Sequence, residues 1–136
     1  MTRQIGETPR GVDRAEEPTL DRSVIAEFGR DANGVPEFVV ALIRQYIAEA
    51  GAQVERMREA GQRVDAPALK AIAHALRGSS MMLGARRLGS LCEQIERGAG
   101  QEAGFAGAAA LLPDLDQEFV KVRDALGAEL QGAEKR

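Results

Sequence analysis

The chain has 136 residues and a formal net charge of -3, a length that holds one hydrophobic core and not two. Its one histidine and one cysteine exclude a His/Cys zinc site or an internal disulfide, and the acidic balance disfavours general attraction to nucleic-acid phosphates or an anionic membrane. Hydrophobic residues make up 44% of the chain but aromatic ones only 4%, so aliphatic side chains and alanine must form the core.

Residues 1–18 mix charge, Gly and Pro with almost nothing apolar, and are expected to be a flexible tail. Thr19 is placed to cap a short first helix carrying Leu20, Val24, Ile25 and Phe28, which stops before Asn33-Gly34. A long second helix is expected from Pro36 to Gly61, with Phe38, Val39, Leu42, Ile43, Tyr46, Ile47, Val54 and Met57 on one broad stripe. Asp65 followed by Pro67 reads as the N-cap and early-turn proline of a third helix, which runs through Leu69, Ile72, Ala73, Leu76, Ser80 and Leu83 and ends at Gly84.

A fourth helix is expected from Ala85 to Arg97 through Leu88, Leu91, Cys92 and Ile95, with a loop over Gly98 to Gly104. The last helix reaches about Leu130 through Leu111, Leu112, Leu115, Phe119, Val122 and Leu126. Pro113 either kinks a helix begun near Phe105 or starts a shorter one. No run alternates long enough for a strand. The expected architecture is all-α: an antiparallel four-helix bundle with a short N-terminal helix lying across it, spanning 19–131 and followed by a tail at 132–136.

No stretch approaches the roughly 18 apolar residues of a membrane span, and the N-terminus lacks the apolar core of a secretory signal. The expected location is the cytoplasm. One unpartnered thiol agrees with a reducing compartment.

The single imidazole can be placed on the third helix. At about 100° per residue from Leu69, the residues Ile72, Ala73, Leu76, Ser80 and Leu83 keep within roughly 60° of one direction, and His74 lies about 140° from it. It therefore faces outward. Lys70 and Arg77, four residues before and three after it, can both reach the solvent around the ring, where they would neutralise phosphoryl oxygens and disfavour protonation of the imidazole. The competing reading of Lys70 is an ordinary solvated surface charge.

Gly78 stands one turn beyond His74 on the same face, and an interior glycine costs about 1 kcal/mol of helix stability relative to alanine. Its lack of a side chain would let a bulky partner reach the ring. Met81 should point outward nearby as part of a docking patch. Ser80 falls on the core face, where its hydroxyl is expected to bond back to the preceding turn. Ser79 lies nearer the exposed side, within reach of phosphoryl oxygens or a partner. Cys92 is expected to be a core filler.

The stretch from His74 to Glu96, HALRGSSMMLGARRLGSLCEQIE, closely resembles the signature of histidine-containing phosphotransfer (HPt) domains. The family pattern has a His, an aliphatic residue two later, a basic residue before Gly-Ser-Ser, a Gly-Ala pair about ten residues on and a Leu-Cys-Glu-like segment. The resemblance implies a phosphorelay intermediate: His74 accepts a phosphoryl group from the phospho-aspartate of one receiver domain, using Nε2, and passes it to another. Carried over on matching positions, Arg77 steadies the phosphoryl oxygens, Gly78 opens access to the ring, and Glu96 accepts a hydrogen bond from Nδ1 that leaves Nε2 free to attack.

The resemblance further implies response-regulator receiver domains and a hybrid sensor histidine kinase as partners, and a monomer. The chain has no Gly-rich phosphate loop with its lysine, so no independent kinase activity is expected. No bound cofactor or metal is expected either, Mg2+ belonging to the partner receiver. The alternative is a helical adaptor that binds receiver domains without transfer, which would have no need of an outward His beside Gly78. A hydrolase using His74 as general base would require a nucleophile and a concave pocket that a convex bundle face does not supply.

Overall fold

The computed structural model describes residues 18–28 and 35–134. The tail expected at 1–18 therefore lies almost entirely outside the described residues, as does the helix stop expected at Asn33-Gly34. The described residues form six helical segments: α1 (Arg22–Ala26), α2 (Glu37–Gln62), α3 (Ala66–Met82), α4 (Arg86–Ala99), α5 (Phe105–Ala110) and α6 (Leu112–Glu134). No strand occurs among them.

Local chemistry sets most of the boundaries. Asp65 caps α3, its carboxylate accepting from the Ala68 N–H at 3.2 Å, with Pro67 in the first turn. The helix ends in a Schellman turn: the Ala85 N–H reaches the Ser80 carbonyl at 2.9 Å and the Gly84 N–H reaches that of Met81 at 3.1 Å, with Gly84 at φ 84°. A second turn of the same kind joins α2 to α3 through Asp65 N–H to Ala60 carbonyl, 2.8 Å. Here the left-handed position holds Val64, at φ 54°, a conformation that a β-branched residue adopts under strain.

Three boundaries differ from the sequence expectation, and a fourth, left open there, is settled. Asp21 and not Thr19 caps α1, accepting from the Ser23 N–H at 3.1 Å, and the helix is only five residues long. Helix α4 continues through Gly98 to Ala99, with Gly98 packed so closely that a Cβ there would lie 3.0 Å from the Gly104 carbonyl oxygen and from the Ala108 Cβ. Pro113 resolves into two helices: α5 stops at Ala110, Leu111 turns, and α6 restarts with Pro113 in its first turn, where its missing N–H costs nothing. Helix α6 then runs past the expected end, to Glu134.

Around the bundle α2 adjoins α3 and α6, and α4 adjoins the same two, so each long helix has two neighbours. Their inward faces carry Ile43, Met57, Leu69, Leu76, Leu88, Ile95, Leu115 and Leu126, all fully buried, at roughly 1.5–3 kcal/mol of transfer free energy each. Cys92 is buried with them, and desolvation pushes its thiol up to about 12, so it stays an unreactive filler. Helix α1 is tied to the α3–α4 turn by the Asp21 N–H to the Gly84 carbonyl, 2.8 Å, and by the forked contact of Arg86 with the Asp21 carboxylate at 3.0 and 3.1 Å. A Cβ on Gly84 would fall 2.7 Å from the Asp21 carbonyl oxygen, so glycine serves both the turn and this docking.

Candidate functional site

The two faces of α3 divide as the periodicity requires. Leu69, Ala73, Leu76 and Ser80 are sealed at 0% exposure, while the His74 side chain is 64% exposed. The short Schellman connection packs α3 antiparallel against α4, which brings Glu96, 22 residues away in sequence, to the ring. Its Oε2 lies 2.8 Å from His74 Nδ1.

That distance fixes the tautomer. An ionised carboxylate only accepts hydrogen bonds, so Nδ1 carries the proton and donates it, and in the neutral imidazole the lone pair is then on Nε2. The Arg77 Nη2 sits 3.4 Å from the same Nδ1. Both groups are then donors, and their approach is a juxtaposition and not a hydrogen bond. Arg77 is held instead by charge: its Nε lies 3.4 Å from Glu96 Oε1, is buried, and has no hydrogen-bond partner.

Gly78 leaves the approach to the ring open, since a Cβ built there would meet nothing within 4 Å. Lys70 reaches across to the C-terminal end of α4, where its Nζ would lie 3.4 Å from a Cβ on Gly100, a place where the helix dipole favours a cation. Met81, two turns beyond His74 on the same side of α3, is 42% exposed. Its sulfur is seated over Gly89 of α4, where a Cβ would come within 2.6 Å of it.

The two serines have different partners. Ser79, about 140° around the helix from His74, donates its hydroxyl to the Leu76 carbonyl at 3.2 Å. It lines a groove between α2 and α3 with Leu42, Tyr46, Met82 and Leu83, away from the ring. Ser80 does not bond back to its own helix as expected; its Oγ pairs with the Tyr46 hydroxyl of α2 at 2.7 Å inside the core. Burial raises Tyr46 to about 12, so that hydroxyl remains protonated.

The structure thus brings His74, Arg77 and Glu96 together beside the open space at Gly78, with Lys70 and Met81 at the margins and Ser79 elsewhere. Sequence reasoning missed Gly89 and Gly100, which seat Met81 and Lys70. Gly89 did carry a signal, as a glycine in the middle of a helix. No group of three or more His, Cys, Asp or Glu that could hold a metal occurs among the described residues, and no helix among them is long and apolar enough to cross a membrane. Chemically, the site offers a nucleophilic ring nitrogen, a carboxylate to hold the opposite proton, and a cation beside them.

Two comparisons with known proteins find a match. A family model described as the Hpt domain matches residues 41–131. The solved structure of histidine-containing phosphotransfer protein B from Pseudomonas aeruginosa PAO1 is similar to the chain at 27% sequence identity and a TM-score of 0.72, covering 84% of this chain and 96% of that one. No curated protein matches.

Proposed function

Because the chain belongs to the Hpt domain family, and is a histidine phosphotransfer intermediate of phosphorelays, we propose that His74 is the residue that carries the phosphoryl group. The observation that carries this reading is the exposed imidazole whose Nδ1 is tied to Glu96 at 2.8 Å, with open space at Gly78 beside it. It is also the chain's one histidine.

Hpt domains work with receiver domains and kinases. In the proposed step, Nε2 attacks the phosphorus of a receiver's aspartyl phosphate in line. The N–P bond forms as the bond from phosphorus to the aspartate oxygen breaks, and the carboxylate leaves. The ring becomes cationic, with its proton still on Nδ1, and Glu96 offsets that charge. Transfer onward reverses the step: the retained Nδ1 proton lets the ring depart as a neutral imidazole. Arg77 supplies positive charge to the phosphoryl oxygens, and Gly78 lets the receiver close over the ring.

Lys70 and Met81 are assigned to the rim of the receiver contact. Ser79 is given no part in the transfer. The chain acts as a carrier without kinase activity of its own, in the cytoplasm and as a monomer, binding no cofactor; Mg2+ resides on the receiver. A hybrid sensor histidine kinase is the proposed source of the phosphoryl group.

The test mixes the purified chain with phosphorylated receiver domains. An acid-labile phosphoryl group should appear on the chain and pass to a second receiver, and His74→Gln should abolish both steps while leaving receiver binding intact. Failure of every receiver to label the wild type, or normal relay by His74→Gln, overturns the reading. An adaptor would instead keep its function in that variant.

A further inference from the structure

Arg77 stands at the wrong edge of the ring to meet a phosphoryl group. Its two contacts, Nε to Glu96 Oε1 and Nη2 to His74 Nδ1, both at 3.4 Å, lie at the Nδ1 edge, whereas the phosphoryl group of the relay reading sits on Nε2. The seat is also incomplete, since the buried Nε has no hydrogen-bond partner. The surrounding charges leave Glu96 as the carboxylate holding it: Glu93 is taken by Arg97 at 2.9 Å, and Lys70 is placed at Gly100.

We propose that Glu96 is a latch for Arg77, holding the guanidinium in the unloaded state and releasing it to the phosphoryl oxygens when His74 is loaded. This rests on the relay reading of His74. Loading brings a dianion to Nε2 and leaves the ring cationic. The guanidinium then gains a stronger and better-matched acceptor, while Glu96 keeps its hydrogen bond from Nδ1 and exchanges the guanidinium for the newly cationic ring as its positive neighbour. Glu96 is thereby a positioning residue for Arg77 as well as for the imidazole, and it sets how readily the unloaded site accepts a phosphoryl group. A neutral amide at the same position would accept from Nδ1 but would not hold the arginine.

The test loads the full chain with phosphoramidate, which transfers its phosphoryl group to a ring nitrogen with loss of ammonia and needs no receiver. The 15N guanidinium signals of Arg77 should shift on loading in the wild type, and in unloaded Glu96→Gln they should already be displaced from their wild-type positions. In a double-substitution cycle with Arg77→Gln, Glu96→Gln should slow loading about fivefold less when Arg77 is present than when it is absent, the scale of one ion pair at the surface. Unmoved Arg77 signals, or independent effects of the two substitutions, overturn the latch while leaving the relay intact. Failure of phosphoramidate to label His74 overturns both.

Discussion

Helix α3 makes two side-chain hydrogen bonds of nearly equal length to its neighbours, six residues apart and about 120° around the helix. Ser80 meets Tyr46 of α2 at 2.7 Å, and His74 meets Glu96 of α4 at 2.8 Å. Geometry does not distinguish them; surroundings do. The first is sealed between helices, and desolvation raises the phenol to about 12, so it stays a protonated, buried contact between α2 and α3. The second leaves a ring nitrogen in solvent beside a position with no side chain. The same helix therefore supplies a rigid mount on one side and a reactive group on the other.

The contrast can be broken from its buried side with the larger effect. Tyr46→Phe leaves the Ser80 hydroxyl without its partner in the core and should lower the unfolding free energy by about 1–3 kcal/mol, read by denaturant titration, with phosphoryl acceptance by the folded protein unchanged. The phenol also gives the wild type an alkaline limit. A pKa raised by folding from 10.0 to about 12 contributes stability below pH 10 that is lost as pH rises towards 12, and this component should be missing from Tyr46→Phe.

The exposed side is sharpened by a smaller change of opposite sign. Gly78→Ala adds a methyl group to open space and should stabilise the chain by about 1 kcal/mol through helix propensity, while slowing transfer from a receiver. A stabilised protein with undiminished transfer would show that the space beside His74 is not needed by the partner. A position that raises stability and lowers activity together is the mark of a residue kept for function.

How far this division was legible depended on the range of the contacts. Asp65 with Pro67, and Gly84 ahead of Ala85, state helix ends through interactions within a turn of sequence, and the fold follows them. The outward direction of His74 needed only the periodicity of α3. Pro113 was ambiguous because a proline can either kink a helix or stand in the first turn of a new one, and the close packing of Gly98 on Gly104 along the extended α4 is a tertiary contact. Glu96 was visible through the family pattern, but its distance from the ring depends on how α3 and α4 dock. Ser80 was assigned the wrong partner for the same reason: a helical wheel gives the direction of a hydroxyl and not the group waiting there, and only the approach of α2 supplied Tyr46.

The central claim is that the Nδ1 edge of His74 is occupied and the Nε2 edge is the one that reacts. The most direct measurement is nitrogen and phosphorus NMR on the chain loaded by a phosphorylated receiver. The account predicts one phosphoryl group, bonded to Nε2 of His74, with the proton still on Nδ1. A phosphoryl group on Nδ1, or on any other residue, would contradict it.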